Sequence, residues 1–324
     1  MSNLMFIDKI SLTFNIVATD HQKYIASQLI NLTKEFDSGW SAARGGAYKF
    51  SARLRCPLSQ ADLQGNWSKD YVLLQAAARN EQGPFLRAEW NPARFSEVQR
   101  QYIFVCLNDM LDVPPPMIGK AQVTRADIAI DLPGVKIGDF VFERTNARYR
   151  TPISFNGTLQ TLYLGKSSHG QICIYDKGAQ LGQAHLTMTR IEVHCRPNRH
   201  ASDLVSLPNP FQKFRVHDIK NADLVIGEAP RKSFARAASA FGIEAVLSDY
   251  PGLAAKKLKA AILASPASFW QPDVFWQKWP EVIQGVLPSF GNANQYGTTD
   301  GQLNPAFVQS FAQIHTSPAG GPEA

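Results

Sequence analysis

The sequence predicts an α+β fold of antiparallel sheets with helices on one face, built as one unit or as two related halves. Three features carry that expectation. Short segments alternate polar and apolar residues, the period of strands with one wet face. Gly-bearing turns such as Arg44-Gly45-Gly46 lead directly into such segments, as in hairpins. A run of strands closed by a helix ends at Pro114-Pro115-Pro116, after which a second run of strands and helices begins.

Residues 9–16 form the first alternating strand, and Asp20 is a good N-cap for a helix to Glu35 with Tyr24, Leu29 and Leu32 inward. From Tyr48 to Arg55 period two places Lys49, Arg53 and Arg55 on one face and Phe50, Ala52 and Leu54 on the other. Strands at 71–78 and 84–90 precede a helix from Ser96 to Leu111. In the second round strands are predicted at 121–132, 150–155, 158–165, 170–177 and 188–196, and helices at 231–241 and 253–264. The chain thus divides into residues 1–265, with halves 1–115 and 116–265, and a C-terminal segment 266–324. That segment opens on Trp270, Trp276 and Trp279, read as packing residues, and turns Gly/Asn/Gln/Thr-rich from Ser289, the composition of a flexible tail. One internal echo joins the halves. Arg87-x-Glu89 and Arg190-x-Glu192 both lie on strands that end at a proline, which fits either a duplicated β-α unit or coincidence.

Of the 324 residues, 44% are hydrophobic and 19% charged, ordinary for a chain that buries a sizeable core. No run approaches the ~18 apolar residues of a membrane span. The first residues lack a basic start followed by an apolar block, so no secretion signal is predicted and a cytoplasmic protein with no membrane partner is expected. Cys56, Cys106, Cys173 and Cys195 are widely spaced without a Cys-x-x-Cys pair, which points to buried thiols rather than a zinc site. A formal charge of +6 and pI near 9.1 permit nucleic-acid binding without establishing it.

Three segments can carry chemistry. In Val123–Leu132 period two sets Arg125, Asp127 and Asp131 on one face. Two carboxylates there suit a hard cation such as Mg²⁺ or Mn²⁺; an edge-strand ion pair of Arg125 with Asp127 is the competing reading. In Arg190–Cys195, Arg190, Glu192 and His194 share a face, able to reach one metal or simply forming a surface Glu–Arg pair. In the hairpin from Thr161 to Lys177, Ile172 and Ile174 face inward and leave Tyr175 and Lys177 on the other side. A tyrosine there can attack phosphorus if its phenolate is stabilised by a lysine or a metal, or it can be a packing residue. Lys166 at the turn is a phosphate contact or a turn residue. The Lys49/Arg53/Arg55 face can follow a phosphate backbone, and Arg231, Lys232, Arg236, Lys256, Lys257 and Lys259 place basic groups on helices.

Together the Arg-x-Asp-x-x-x-Asp strand, the Tyr163-x-Gly165 hairpin running into Ile174-Tyr175-Asp176-Lys177, and the Arg-x-Glu strand, in that order, resemble the replication initiation factor family. That family includes initiators of rolling-circle plasmids and of some filamentous phages. The resemblance spans about residues 5–265 and is most specific over 121–196. It implies a relaxase-like fold and a metal-dependent nicking-joining endonuclease acting at a phage or plasmid origin. Tyr175 is then the nucleophile with Tyr163 in reserve, Lys177 and Arg190 add positive charge, and Asp127, Asp131 and Glu192 bind Mg²⁺ or Mn²⁺. From their positions on the strand face and at the turn, Lys49, Arg53, Arg55 and Lys166 are the residues expected to contact DNA, with a solvated surface as the other reading. Origin DNA, duplex and single-stranded, is the expected partner, with a host helicase and polymerase, and a homodimer stays open. The His-hydrophobic-His signature of relaxases is absent from the seven histidines, so carboxylates must dominate any metal site, with His194 as a helper. A DNA-binding regulator with a decayed site and a related relaxase or transposase are the alternative readings.

Overall fold

The computed structural model describes residues 4–16, 19–34, 39–44, 46–58, 66–78, 85–111, 119–145, 149–155, 158–167, 170–183, 185–219 and 228–287. Met1–Val286 forms one unit, and a second runs from Leu287 to Ala324, of which Leu287 alone is described. The tail composition from Ser289 and His169 of the hairpin tip therefore lie outside the described residues.

The alternating segments become strands: β1 (Leu4–Asn15), β2 (Trp40–Ala42), β3 (Tyr48–Pro57), β4 (Trp67–Ala78), β5 (Phe85–Trp90), β6 (Gln122–Pro133), β7 (Phe140–Arg144), β8 (Arg150–Phe155), β9 (Thr158–Leu164), β10 (Ile172–Asp176), β11 (Met188–Cys195), β12 (Arg199–His200) and β13 (Phe214–Asp218). One large antiparallel sheet has the order β2-β3-β4-β5-β1-β6-β11-β10-β9-β8, with β12 also on β6. β7 and β13 pair separately; these two and the short β2 and β12 lie outside the strands that the alternation predicts. The α+β expectation, a large antiparallel sheet with helices, is thus what the chain adopts.

Period two divides the sheet into an apolar and a polar face. Ala52, Leu54, Val72, Leu74, Leu86, Ala88, Ile128, Ile130, Ile191, Ile172, Ile174 and Leu162 are all buried on the first. Helix α1 (Thr19–Leu32) reaches β2 to β5, and α2 (Glu97–Leu111) reaches β3. On this face Phe104 of α2 meets Trp90 of β5 edge-on at 6.0 Å. A reciprocal cap starts α2: the Gln99 backbone N–H donates to Ser96 Oγ (3.3 Å) and the Ser96 N–H to Gln99 Oε1 (2.9 Å). In α1 the inward stripe is Ile25, Ala26 and Leu29, whereas Tyr24, expected inward, is 48% exposed. Its position adjoins the Ile25 stripe without sharing it.

Two local departures shape the polar face. In β1, Ile7 and Ile10 are both fully buried, and the ladder to β6 slips between Ile7 and Lys9. This β-bulge puts Asp8 and Lys9 where a regular strand would present one residue. At the end of β10 the strand expected to run on through Lys177 stops instead. Asp176 caps a short helix α3 (Lys177–Gln180), accepting from the Ala179 N–H at 2.9 Å. Gly178 is required here, since an added Cβ would fall 1.9 Å from the Leu186 carbonyl oxygen.

Farther along the chain, α4 (Glu228–Phe241), α5 (Ile243–Leu247) and α6 (Gly252–Leu263) enclose Val141, Phe234, Ala238, Ile243 and Ile262. The indole N–H groups of Trp270 and Trp279 donate to the carbonyls of Phe214 and Leu204, so these rings pack inside the unit. No described helix is long and apolar enough to cross a membrane.

Candidate active site

The ladders β1–β6–β11–β10 set the site. Cross-strand pairing puts Asp127 opposite His194, Asp131 opposite Arg190, and Arg190 opposite Tyr175. Directly opposed side chains on one face lie ~5 Å apart at Cβ, so these pairs can touch.

Asp127, Glu192 and His194 each offer a ligand atom, and these atoms lie within 4.8 Å of one another. His194 Nε2 and Glu192 Oε1 are 2.9 Å apart. Asp127, 1% exposed, accepts from Arg125 Nε (2.9 and 3.0 Å) and Nη2 (2.6 Å). The Arg125–Asp127 ion pair therefore exists, but on a central strand rather than an edge, and Asp127 faces the trio as well. Asp131 is drawn elsewhere. It sits about 13 Å along β6 from Asp127, and Arg190 grips its two oxygens through Nε (2.6 Å) and Nη2 (2.9 Å). Arg190 also donates to Asp8 Oδ1 at 2.9 Å and lies 4.7 Å over the Phe6 ring. Of the three carboxylates expected to converge, Asp127 and Glu192 come together, joined by His194.

Burial and charge tune these groups. Burial, above all, raises the Asp127 carboxyl, with its Arg125 bond and His194 pulling the other way. Burial pushes Glu192 up too, yet the bond to His194, the charges of His194 and Arg190 and the Tyr175 hydroxyl leave it lowered. In turn the Glu192 hydrogen bond raises His194. Asp8 is raised by burial and then by Glu192. Mutually perturbed groups clustered in this way make the cluster a candidate functional site.

Tyr175, 9% exposed, donates its hydroxyl to Glu192 Oε2 at 3.4 Å. Burial raises its phenol well above the ordinary value, opposed chiefly by Arg190. Lys177 was expected to favour the phenolate. Its ammonium lies 5.8 Å from the ring centroid and bonds Gln180 Oε1 at 2.6 Å, so Arg190 is the stronger influence. Tyr163 is raised by Cys173, burial and Glu192 and adjoins Cys173, whose thiol burial pushes up to about 12. Lys166 is exposed near the hairpin tip, 4.3 Å over the Tyr149 ring. Arg53 and Arg55 share the polar face, Arg53 over Tyr71 at 5.0 Å; Lys49 is exposed at the same parity.

Asp8, which precedes the strand expected at residues 9–16, is a residue of this cluster that the sequence reading missed. Its signal was the three-residue step between core positions Ile7 and Ile10, the mark of a bulge.

A second polar cluster lies on β5 and β1. Glu89 accepts from Ser11 Oγ (2.7 Å) and Arg87 Nη2 (2.5 Å), and Lys9 Nζ is 3.8 Å away. Burial raises Glu89, but the Ser11 bond and the charges of Arg87, Lys9 and Arg125 outweigh it, so its folded pKa is depressed. A depressed carboxylate stabilises fully above its unfolded value of about 4.3 and loses that contribution as pH falls through the folded value. Glu89→Gln should therefore cost about 1–3 kcal/mol at pH 7. It should also lose less stability than the parent as the pH drops below about 4.3, both read from urea midpoints.

No family model matches the chain, and no curated protein does. Among solved structures it is similar to a rolling circle replication initiator protein from Geobacillus stearothermophilus, at 14% identity and a TM-score of 0.39, over 89% of this chain and 97% of that one. A likeness at that score leaves function to be read from the site itself.

Proposed function

We propose that the chain is a rolling-circle replication initiator that nicks one strand of origin DNA through a covalent tyrosine–DNA intermediate and later rejoins it. One observation carries this reading: the Tyr175 hydroxyl rests on Glu192, a member of the Asp127/Glu192/His194 trio, on the polar face of the sheet. A nucleophile, a divalent-metal donor set and a guanidinium at Arg190 are the parts that phosphoryl transfer needs. The motif order of the sequence supports the same chemistry.

Two carboxylates and an imidazole within 4.8 Å fit a single Mg²⁺ or Mn²⁺, whose ligands stand ~2.1 Å from the ion. Arg125, whose side chain is 38% exposed, is free to move to solvent when a cation takes the Asp127 oxygens. When bound, the ion would polarise the scissile phosphate and neutralise its charge. Tyr175 Oη attacks phosphorus in line and its proton passes to Glu192 Oε2, to which it already points. The bond from phosphorus to the 3′ oxygen breaks, and that oxygen takes a proton from solvent to leave a free 3′-OH and a 5′-phosphotyrosine. Arg190, fixed by Asp131 and Asp8, offsets negative charge beside Tyr175, with Lys177 behind the ring. Because the phosphodiester bond is conserved in the tyrosyl ester, rejoining needs no ATP.

The direct test is incubation with Mn²⁺ and supercoiled DNA of the replicon that encodes the protein, with any covalent adduct mapped by peptide mass spectrometry. Nicked circles with phosphotyrosine at Tyr175 are expected. Metal-independent binding with no nick and no adduct would favour the DNA-binding regulator. The basic edge makes its own prediction. The Lys49→Ala/Arg53→Ala/Arg55→Ala variant should bind every DNA sequence more weakly, with a salt slope shallower by about 2–3 on duplex. An unchanged slope would return these residues to an ordinary solvated surface.

A further inference from the structure

The sheet order runs β2-β3-β4-β5-β1 and then β6-β11-β10-β9-β8. Read from its outer edge, the second run is β8-β9-β10-β11-β6, which matches the first strand for strand in chain order. A twofold axis relating the two must cross the β1–β6 ladder, where Lys9 and Asp127 are paired directly with each other.

The registers agree with that axis. Arg87 pairs with Thr13 and Gln75 as Arg190 pairs with Asp131 and Tyr175. Glu89 pairs with Ser11 and Leu73 as Glu192 pairs with Ala129 and Cys173. The Arg-x-Glu echo of the sequence thus falls on equivalent places. Counting from it, Lys9 stands where the other half has Asp127, Asn91 where it has His194, and Gln75 where it has Tyr175.

The charge of the two places is opposite. Around Glu192 stand the carboxylates of Asp127 and Asp8 together with His194 and Arg190, a donor set rich in carboxylates that suits a cation. Around Glu89 stand Lys9 and Arg87, with Arg125 nearby but paired to Asp127, so two cations face one carboxylate and the excess of positive charge suits an anion. The Lys9 ammonium lies 3.8 Å from Glu89 with its side chain 31% exposed, so it can meet both Glu89 and a ligand.

We propose that the N-terminal half carries a metal-free copy of the site in which the Lys9 ammonium stands in for the cation, and that this copy grips a backbone phosphate of single-stranded DNA without cutting it. Gln75 offers no nucleophile, which accounts for the lack of cleavage there. Three strand spacings across the sheet, about 14 Å, and four residues along it, about 13 Å, put Glu89 and Glu192 about 19 Å apart, so one extended strand lying obliquely across the polar face can meet both. The inference rests on the DNA-nicking reading for its ligand.

The test is fluorescence anisotropy of a single-stranded oligonucleotide with the full chain in EDTA, which silences any metal site. Lys9→Gln should bind about 5- to 10-fold more weakly, with a salt slope shallower by about 0.7, the value for one phosphate contact on a single strand. Lys9→Arg should match the wild type. Lys23→Gln, which removes an exposed charge on α1, should change affinity less than about 2-fold. Lys9→Met, which keeps the aliphatic stem, repeats the measurement should the glutamine variant not fold. Wild-type affinity in Lys9→Gln, or an equal loss in Lys23→Gln, overturns the inference. Failure of the nicking reading looks different: the wild type then forms no adduct in Mn²⁺, whatever Lys9 does in EDTA.

Discussion

Tyr175→Phe should form no covalent adduct with single-stranded oligonucleotides tiled across the encoding replicon, whereas Tyr163→Phe should still form one. The substitution removes a single oxygen from a ring that is 9% exposed, and with it one long hydrogen bond, 3.4 Å to Glu192. The loss of stability should be about 1 kcal/mol, too little to unfold the chain. The loss of reaction should be roughly 10⁴-fold or more, because a residue whose oxygen forms the covalent bond has no substitute. Tyr163 is held up chiefly by Cys173, itself pushed up to about 12, with burial and Glu192 acting the same way, so its surroundings disfavour the phenolate. Adducts are read as a gel shift resistant to denaturant, with DNA binding measured in parallel. The reverse pattern would transfer the nucleophile to Tyr163, and adducts in both variants would remove it from this hairpin.

The second large effect concerns the trio. Asp127→Asn should lower Mn²⁺ affinity by at least about 10²-fold, since one of two anionic ligands is lost. It also leaves Arg125 without its partner. Breaking a buried pair costs about 3–5 kcal/mol, although the partial exposure of Arg125, 38%, places the expected cost at the lower end. Calorimetric Mn²⁺ titration checks the first effect and thermal melting the second. Asp131→Asn is the informative contrast. Its carboxylate is engaged by Arg190 rather than by the trio, so Mn²⁺ affinity should stay within about 3-fold of the parent, a change of under 1 kcal/mol. Loss of Mn²⁺ binding in Asp131→Asn to the level of Asp127→Asn would show that Asp131 is a ligand after all. Unchanged Mn²⁺ binding in Asp127→Asn would remove the ion from this trio.

Much of the site was legible because strand periodicity is a local property. Side chains alternate with period two wherever a strand forms, so Arg125, Asp127 and Asp131, or Arg190, Glu192 and His194, had to share a face once their apolar neighbours were buried. The same logic set Tyr175 opposite Ile172 and Ile174. Helix ends with reciprocal side-chain caps, such as Ser96 with Gln99, were equally local.

What the sequence by itself determined was therefore which residues face which way. Which of them meet was decided by the tertiary structure, because register and strand order are set by pairing between segments far apart in the chain. The β6–β11 register brought His194 to Asp127 and Arg190 to Asp131; nothing in either segment alone distinguishes this pairing from a shift by two residues. The bulge in β1 carried Asp8 to Arg190, 182 residues away. Asp176 ended β10 because its carboxylate found the Ala179 amide, which took Lys177 off the strand. The mirrored order of the strands, finally, turned a short Arg-x-Glu echo into two equivalent places with opposite charge, which only the fold could align.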